Sequence, residues 1–229
     1  MAAEADPLLI GAACDGLAAA ADPGRAPKMQ AYMKSKMPYL GVAVPTVRSV
    51  TKAAARRHPP GSASELGASA AALWRGATYR EHRCAAVELT SLPLADGALE
   101  LVALYEEMIV TGAWWDHVDA VAPRIGRLLR AHPATLRPLV LAWSQDRDRW
   151  LRRTSIIAQL GARDRTDVEL LAEVIDANAS DEDFFVRKAI GWALRDYART
   201  EPEWVRTFVD ARAEVLSSLS RREATKHLA

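Results

Sequence analysis

Two tryptophans followed within a helical turn by two carboxylates, Trp114-Trp115-Asp116-His117-Val118-Asp119, make the most unusual local combination of side chains in the sequence. Trp115 and Asp119 are four residues apart, a spacing that on an α-helix stacks both side chains on one face and presents an aromatic surface together with an anion. Asp116 points elsewhere and suits a first helical turn, where the peptide dipoles favour negative charge. A second segment, residues 184 to 198, sets Trp192 one turn after Lys188 and three residues before Arg195. A third, Asp148 to Thr154, puts Arg152 and Arg153 at the start of an otherwise apolar helix, where a phosphate can meet guanidinium groups and free backbone N–H groups. Aromatic surfaces beside clustered cations are the usual chemistry of nucleic-acid binding.

The elements that must position these groups read as helices throughout. Apolar residues recur at three- and four-residue spacing in runs of about ten to eighteen residues, and alternating strand-like stretches are scarce. The pattern predicts helices over Pro7–Ala21, Ala26–Lys36, Pro45–Arg57, Ser64–Trp74, Tyr79–Ser91, Leu94–Thr111, Trp114–Ala131, Pro133–Ser144, Asp148–Leu160, Thr166–Asn178, Phe184–Arg199, Glu201–Ala211 and Ser220–His227. Pro59-Pro60-Gly61 cannot continue a helix, and Asp22-Pro23-Gly24 and Glu201-Pro202 put proline where one must stop or begin. Short links favour antiparallel pairs, and a succession of pairs suggests an α-solenoid of HEAT-like repeats in one domain, residues 1–229, with a compact bundle as the alternative. No repeat aligns by sequence identity between successive pairs.

A chain of 229 residues, half of them apolar, buries a sizeable core without metals or disulfides. Cys14 and Cys84 are far apart and fit neither a disulfide framework nor a metal site, which points to a reducing cytoplasm. The first residues are acidic where a secretory signal is basic, and no apolar run approaches the ~20 residues that span a bilayer, so no membrane partner is expected. The histidines show no ligand spacing and there is no phosphate-binding glycine loop, so neither metal nor nucleotide cofactor is expected. The net charge is only +1, but the charges are segregated. Residues 121–165 carry ten arginines against three aspartates, whereas residues 166–186 carry seven acids and no base. A polyanion could face the first segment; arginine standing in for lysine on solvated faces is the plainer explanation.

Five dispersed motifs carry a family resemblance. Tyr32-Met33-Lys34 with Leu40-Gly41 and Pro45, Trp114-Trp115-Asp116-x-Val118-Asp119, Trp150-Leu151-x-Arg153, Lys188-Ala189-Ile190-Gly191-Trp192-x-Leu194-Arg195, and Leu219-Ser220-x-Arg222-Glu223-Ala224-x-Lys226-His227 occur in the order found in AlkD-type DNA alkylation-repair glycosylases, which the chain resembles over most of its length. The resemblance implies HEAT-like repeats curved around duplex DNA, with a concave DNA-binding face. It also implies a monofunctional, cofactor-independent and monomeric glycosylase, nucleoid-associated when bound, that releases 3-methyladenine, 7-methylguanine and bulkier alkylated purines without base flipping.

Such purines are already cationic and leave as neutral bases, so no general acid is required. What the reaction needs is stabilisation of positive charge growing on the deoxyribose and a positioned water, and one carboxylate can serve both. Asp119 is the candidate for that carboxylate. By the resemblance, Trp115 and Trp192 flank the lesion's sugar and phosphates, Arg153 grips a backbone phosphate, Tyr32 lines the same cleft, and Arg152, Arg195 and Lys188 contact DNA. Lys188 is also an amine that could serve a lyase step if burial lowered its pKa, with a phosphate or structural role preferred. The chain departs from the family at Gly161, where a lysine is expected and Arg163 and Arg165 lie near, and at Ala43, where a polar side chain is expected. Two other readings stay open, a nucleic-acid-binding scaffold without catalysis and a protein-interaction platform.

Overall fold

The computed structural model describes residues 3–228; the start of the acidic N-terminal stretch and residue 229 lie outside the described residues. Every regular element among them is helical, as the periodicity predicts. Contacts divide the chain into two compact units, residues 1–104 and 105–229.

In the first unit, α1 (Pro7–Ala19), α3 (Val44–Arg57) and α5 (Arg80–Leu89) pack in succession, with α4 (Ala63–Arg75) against α5 and the short α2 (Ala26–Met33) between α1 and α3 in sequence. Asp6 and Ser62 cap α1 and α4 by accepting from Leu8 N and Glu65 N. Leu9, Leu17, Val47, Leu66, Leu73 and Trp74 fill the core. Glu81, 1% exposed, accepts the backbone N–H groups of Leu40, Gly41 and Val42 at 2.9, 2.9 and 3.1 Å, which fixes the Leu40-Gly41 loop before α3.

The expected helix Leu94–Thr111 is broken. Two 3-10 turns, Pro93–Ala95 and Leu99–Leu101, precede α6 (Val102–Gly112). Asp96 is extended and Gly97 takes φ +75°, a left-handed conformation that interrupts the i to i+4 ladder. The remaining expected helices are present with ends displaced by a few residues, where caps rather than apolar periodicity decide the boundary.

The second unit contains α7 (Trp115–Ala131), α8 (Pro133–Ser144), α9 (Arg149–Ile157), α10 (Val168–Asp176), α11 (Phe184–Tyr197), α12 (Pro202–Asp210) and α13 (Ser218–Ala224). Successive odd-numbered helices pack on one another, α7 on α9, α9 on α11 and α11 on α13. The even-numbered helices cover them, α8 on α7 and α9, α10 on α8 and α9, and α12 on α11 and α13. This is the connectivity of an α-solenoid of helical pairs.

A repeat not evident from residue identity appears in the caps. Asp146, Asp148 and Trp150 recur 35 residues later as Asp181, Asp183 and Phe185. Asp146 and Asp181 each accept the N–H two residues on at 2.7 Å. Asp148 and Asp183 each accept two first-turn N–H groups, from Trp150 and Leu151 and from Phe185 and Val186. The identical caps start α9 and α11 in the same phase, so Arg153 and Lys188 occupy equivalent positions.

Candidate functional site

An aromatic cluster joins the N-terminal ends of three adjacent helices. Trp114, the residue preceding α7, lies with its ring centroid 6.2 Å from that of Trp150 and 5.5 Å from that of Phe185, and the Trp150 and Phe185 centroids are 4.9 Å apart. Trp150 is buried, while Phe184 beside Phe185 remains 52% exposed. The cluster fixes how the starts of α7, α9 and α11 sit together, and one turn further along stand Asp119, Arg153 and Lys188.

Asp119 and Arg153 form a bidentate pair. Arg153 Nε donates to Asp119 Oδ1 at 2.7 Å and Nη2 to Oδ2 at 2.8 Å, while Nη1 donates to the Phe185 carbonyl at 2.6 Å. The Arg153 side chain is 5% exposed and that of Asp119 is 17% exposed, so the carboxylate is the end of the pair nearer solvent. Burial pushes the Asp119 carboxyl above its ordinary value; hydrogen bonds and charge from Arg153 pull it down, and Asp116 adds to the rise. Pro123, four residues after Asp119, lacks the N–H that would otherwise reach the Asp119 carbonyl along the helix.

The other nominated cations are engaged too. Arg152 donates to the Asp181 carboxylate at 2.9 Å and to the carbonyls of Asp146 and Arg147 at 2.8 and 3.1 Å, which ties the start of α9 to the loop before α11. Lys188 Nζ meets Glu223 Oε1 at 2.8 Å, and Arg195 Nη1 donates to the other Glu223 oxygen. Hydrogen bonds from Lys188 and Arg195 hold the Glu223 carboxyl down to about 2. Glu223 reaches them because α13 approaches α11 at Gly191, where a Cβ would fall 2.4 Å from Glu223 Cβ and 2.9 Å from the Ser220 carbonyl oxygen.

Trp115 and Trp192 are both half-buried, on helices that flank α9 on either side. Tyr32 belongs to the first unit and is 76% exposed. The structure thus joins Asp119 to Arg153, and Lys188 to Arg195 through Glu223, while Arg152 turns to a different carboxylate. Sequence reasoning missed four participants. The Phe185 carbonyl gives no sequence signal, Glu223 stood only as a motif letter, and Trp114 and Trp150 join Phe185 in an aromatic cluster of which the 35-residue spacing from Trp150 to Phe185 could have given a sign.

Residues 14–228 match the family model described as DNA alkylation repair enzyme. Among solved structures, the chain is similar to a "Predicted DNA alkylation repair enzyme from Enterococcus faecalis", with a TM-score of 0.80 and 31% identity over 91% of this chain and 97% of that chain. A search of curated proteins found no match. With a family model spanning nearly its whole length and a solved relative agreeing in fold, the chain belongs to the DNA alkylation repair enzyme family, with a role in DNA repair.

Proposed function

We propose that the protein is a monofunctional DNA glycosylase that hydrolyses the N-glycosidic bond of cationic N3- and N7-alkylated purines in duplex DNA, leaving an abasic site. The observation that carries this reading is the Asp119–Arg153 pair. A carboxylate offers about four lone-pair directions, and Arg153 takes two of them. The outward side of Asp119 is left for a water or the sugar. Because the arginine is the more deeply buried partner, the negative end of the pair faces solvent, where charge develops as the base departs.

On this reading Arg153 acts through Asp119, setting its orientation, and is a positioning residue. Trp115 and Trp192 supply aromatic faces to the cationic deoxyribose. Lys188 is held by the Glu223 carboxylate rather than left open for attack on C1′, which supports hydrolysis without a lyase step. A lesion read through its sugar and backbone stays in the stack, so bulky N7 adducts are accepted alongside methyl groups. Action on the duplex as a monomer completes the proposal.

The test is release of 7-methylguanine or 3-methyladenine from methylated duplex by wild type and Asp119→Asn. The substitution lowers the single-turnover rate about 10²- to 10³-fold, while affinity for undamaged duplex is kept. No release by wild type, with salt-sensitive binding intact, identifies a non-catalytic scaffold instead.

A further inference from the structure

The cations nominated by the sequence motifs are neutralised within the second unit: Arg152 by Asp181, Arg153 by Asp119, and Lys188 and Arg195 by Glu223. A different set stands at the C-terminal ends of α7, α9 and α11. Arg130 lies in the last turn of α7, Arg163 and Arg165 form the 3-10 turn after α9, and Arg199 follows α11. Among the described residues, none of these four side chains has a hydrogen-bonding or ion-pairing partner. Arg163, Arg165 and Arg199 line a cleft of about 620 Å³ together with Asp164, Asp196 and Thr200.

The loop that presents them is pinned. Gln159, 9% exposed, donates to the Asp167 carbonyl at 2.9 Å and accepts the Asp167 N–H at 2.8 Å, closing the loop at its base. Gly161 N donates to Asp196 Oδ2 at 2.6 Å, which ties the loop to α11 and engages one of the two carboxylates lining the cleft. Arg163 takes φ +56°, a left-handed conformation that residues with a Cβ rarely adopt and that persists where surroundings impose it. Arg165 and Arg127 repel Arg130, whose guanidinium is lowered from its ordinary value first by burial and then by these two charges. Three arginines outnumber the two carboxylates lining the cleft, of which Asp196 already accepts from Gly161 N, and an anion with several negative groups relieves the remaining positive charge.

We infer that Arg130, Arg163, Arg165 and Arg199 form a phosphate-binding subsite for the DNA backbone, separate from the Asp119–Arg153 centre. The inference rests on the reading of the protein as an enzyme acting on duplex DNA, and it moves backbone binding away from the cations nearest the chemistry. Asp119 and Arg130 lie on one helix, and a rise of about 1.5 Å per residue sets them about 16 Å apart. One strand of B-DNA rises about 3.4 Å per nucleotide. The bound phosphates therefore lie within about five nucleotides of the lesion.

The experiment compares wild type with a triple Arg163→Gln, Arg165→Gln, Arg199→Gln variant, by anisotropy on lesion-free duplex across a salt series and by base release from methylated duplex. The variant binds about tenfold or more weakly near 0.1 M salt, and the slope of log affinity against log salt shrinks by about 0.9 for each contact removed. The protein concentration for half-maximal release rises in step, and lysine at all three positions restores the slope. Arg206→Gln, at a pair with Glu203 on α12, changes neither quantity. Unchanged affinity and slope in the triple variant overturn the subsite. If wild type releases no base but the slope still falls on substitution, the subsite stands and the glycosylase reading fails.

Discussion

Arg153 holds both oxygens of Asp119 while a third N–H bonds the Phe185 carbonyl, so a single guanidinium joins α7, α9 and the start of α11. The arrangement fixes the ionisation of Asp119 as well as its direction. Burial raises the carboxyl and Arg153 opposes the rise. Arg153→Gln removes the opposing charge, so the acid limb of the base-release profile moves to higher pH and the rate at neutral pH falls. Arg153→Lys keeps the charge with one contact and gives an intermediate limb. Single-turnover rates from about pH 5 to 9 read the shift. A uniform drop with the limb unmoved would mean that Arg153 only braces the helices.

The caps of α9 and α11 make a stability prediction independent of chemistry. Asp148→Ala and Asp183→Ala each remove two hydrogen bonds to first-turn N–H groups, at a cost of about 1 kcal/mol. Asp183 also meets Arg149 at 2.6 Å, but that arginine is 54% exposed and the ion pair adds little. Each variant therefore melts about 2–4 °C lower by calorimetry. The double variant loses nearly the sum, because the two caps share no bonded partner. A larger loss from Asp183 alone would show that the Arg149 pair matters more than its exposure implies.

Much of this architecture was legible in the sequence because it is local. Pro7, Pro133 and Pro202 begin helices where their missing N–H groups cost nothing, and the spacing of Trp115 from Asp119 needs only helical geometry. What was not legible depends on where helices meet. Nothing in residues 148–154 distinguishes Arg152, bonded to Asp181, from Arg153, bonded to Asp119, because their partners lie 29 and 34 residues away in opposite directions. The break at Gly97 was hidden by apolar residues that continue on both sides of it. The repeat was hidden because aspartates that cap, rather than core residues that are interchangeable in type, preserve its period.

Gly191 tests the packing that brings Glu223 to its partners. Gly191→Ala sets a Cβ within 2.4 Å of Glu223 Cβ and 2.9 Å of a backbone oxygen, so α13 must shift. Overpacking of this kind costs about 1–3 kcal/mol. Hydrogen exchange should show α13 and the end of α11 opening more readily than in wild type, with α7 and α8 unaffected. Uniform protection across the unit would mean that α13 adjusts without loss.

Glu223 binds two cations of α11 that flank Trp192 in sequence, and its charge is expected to act on both stability and DNA affinity. Its carboxyl is depressed to about 2 from an ordinary 4.5, so its stabilising contribution is present above 4.5 and is lost as the pH falls through about 2. Glu223→Gln therefore lowers the melting temperature at neutral pH, and the gap between variant and wild type closes as the pH falls through that window. The same substitution frees Lys188 and Arg195. Affinity for undamaged duplex rises at low salt, and the salt slope steepens by about 0.9 for each freed cation that takes up a phosphate. Weaker binding would instead mean that Glu223 holds the two side chains where DNA needs them, and the stability data separate this from unfolding of α13, since a folded variant with reduced affinity can only have lost orientation.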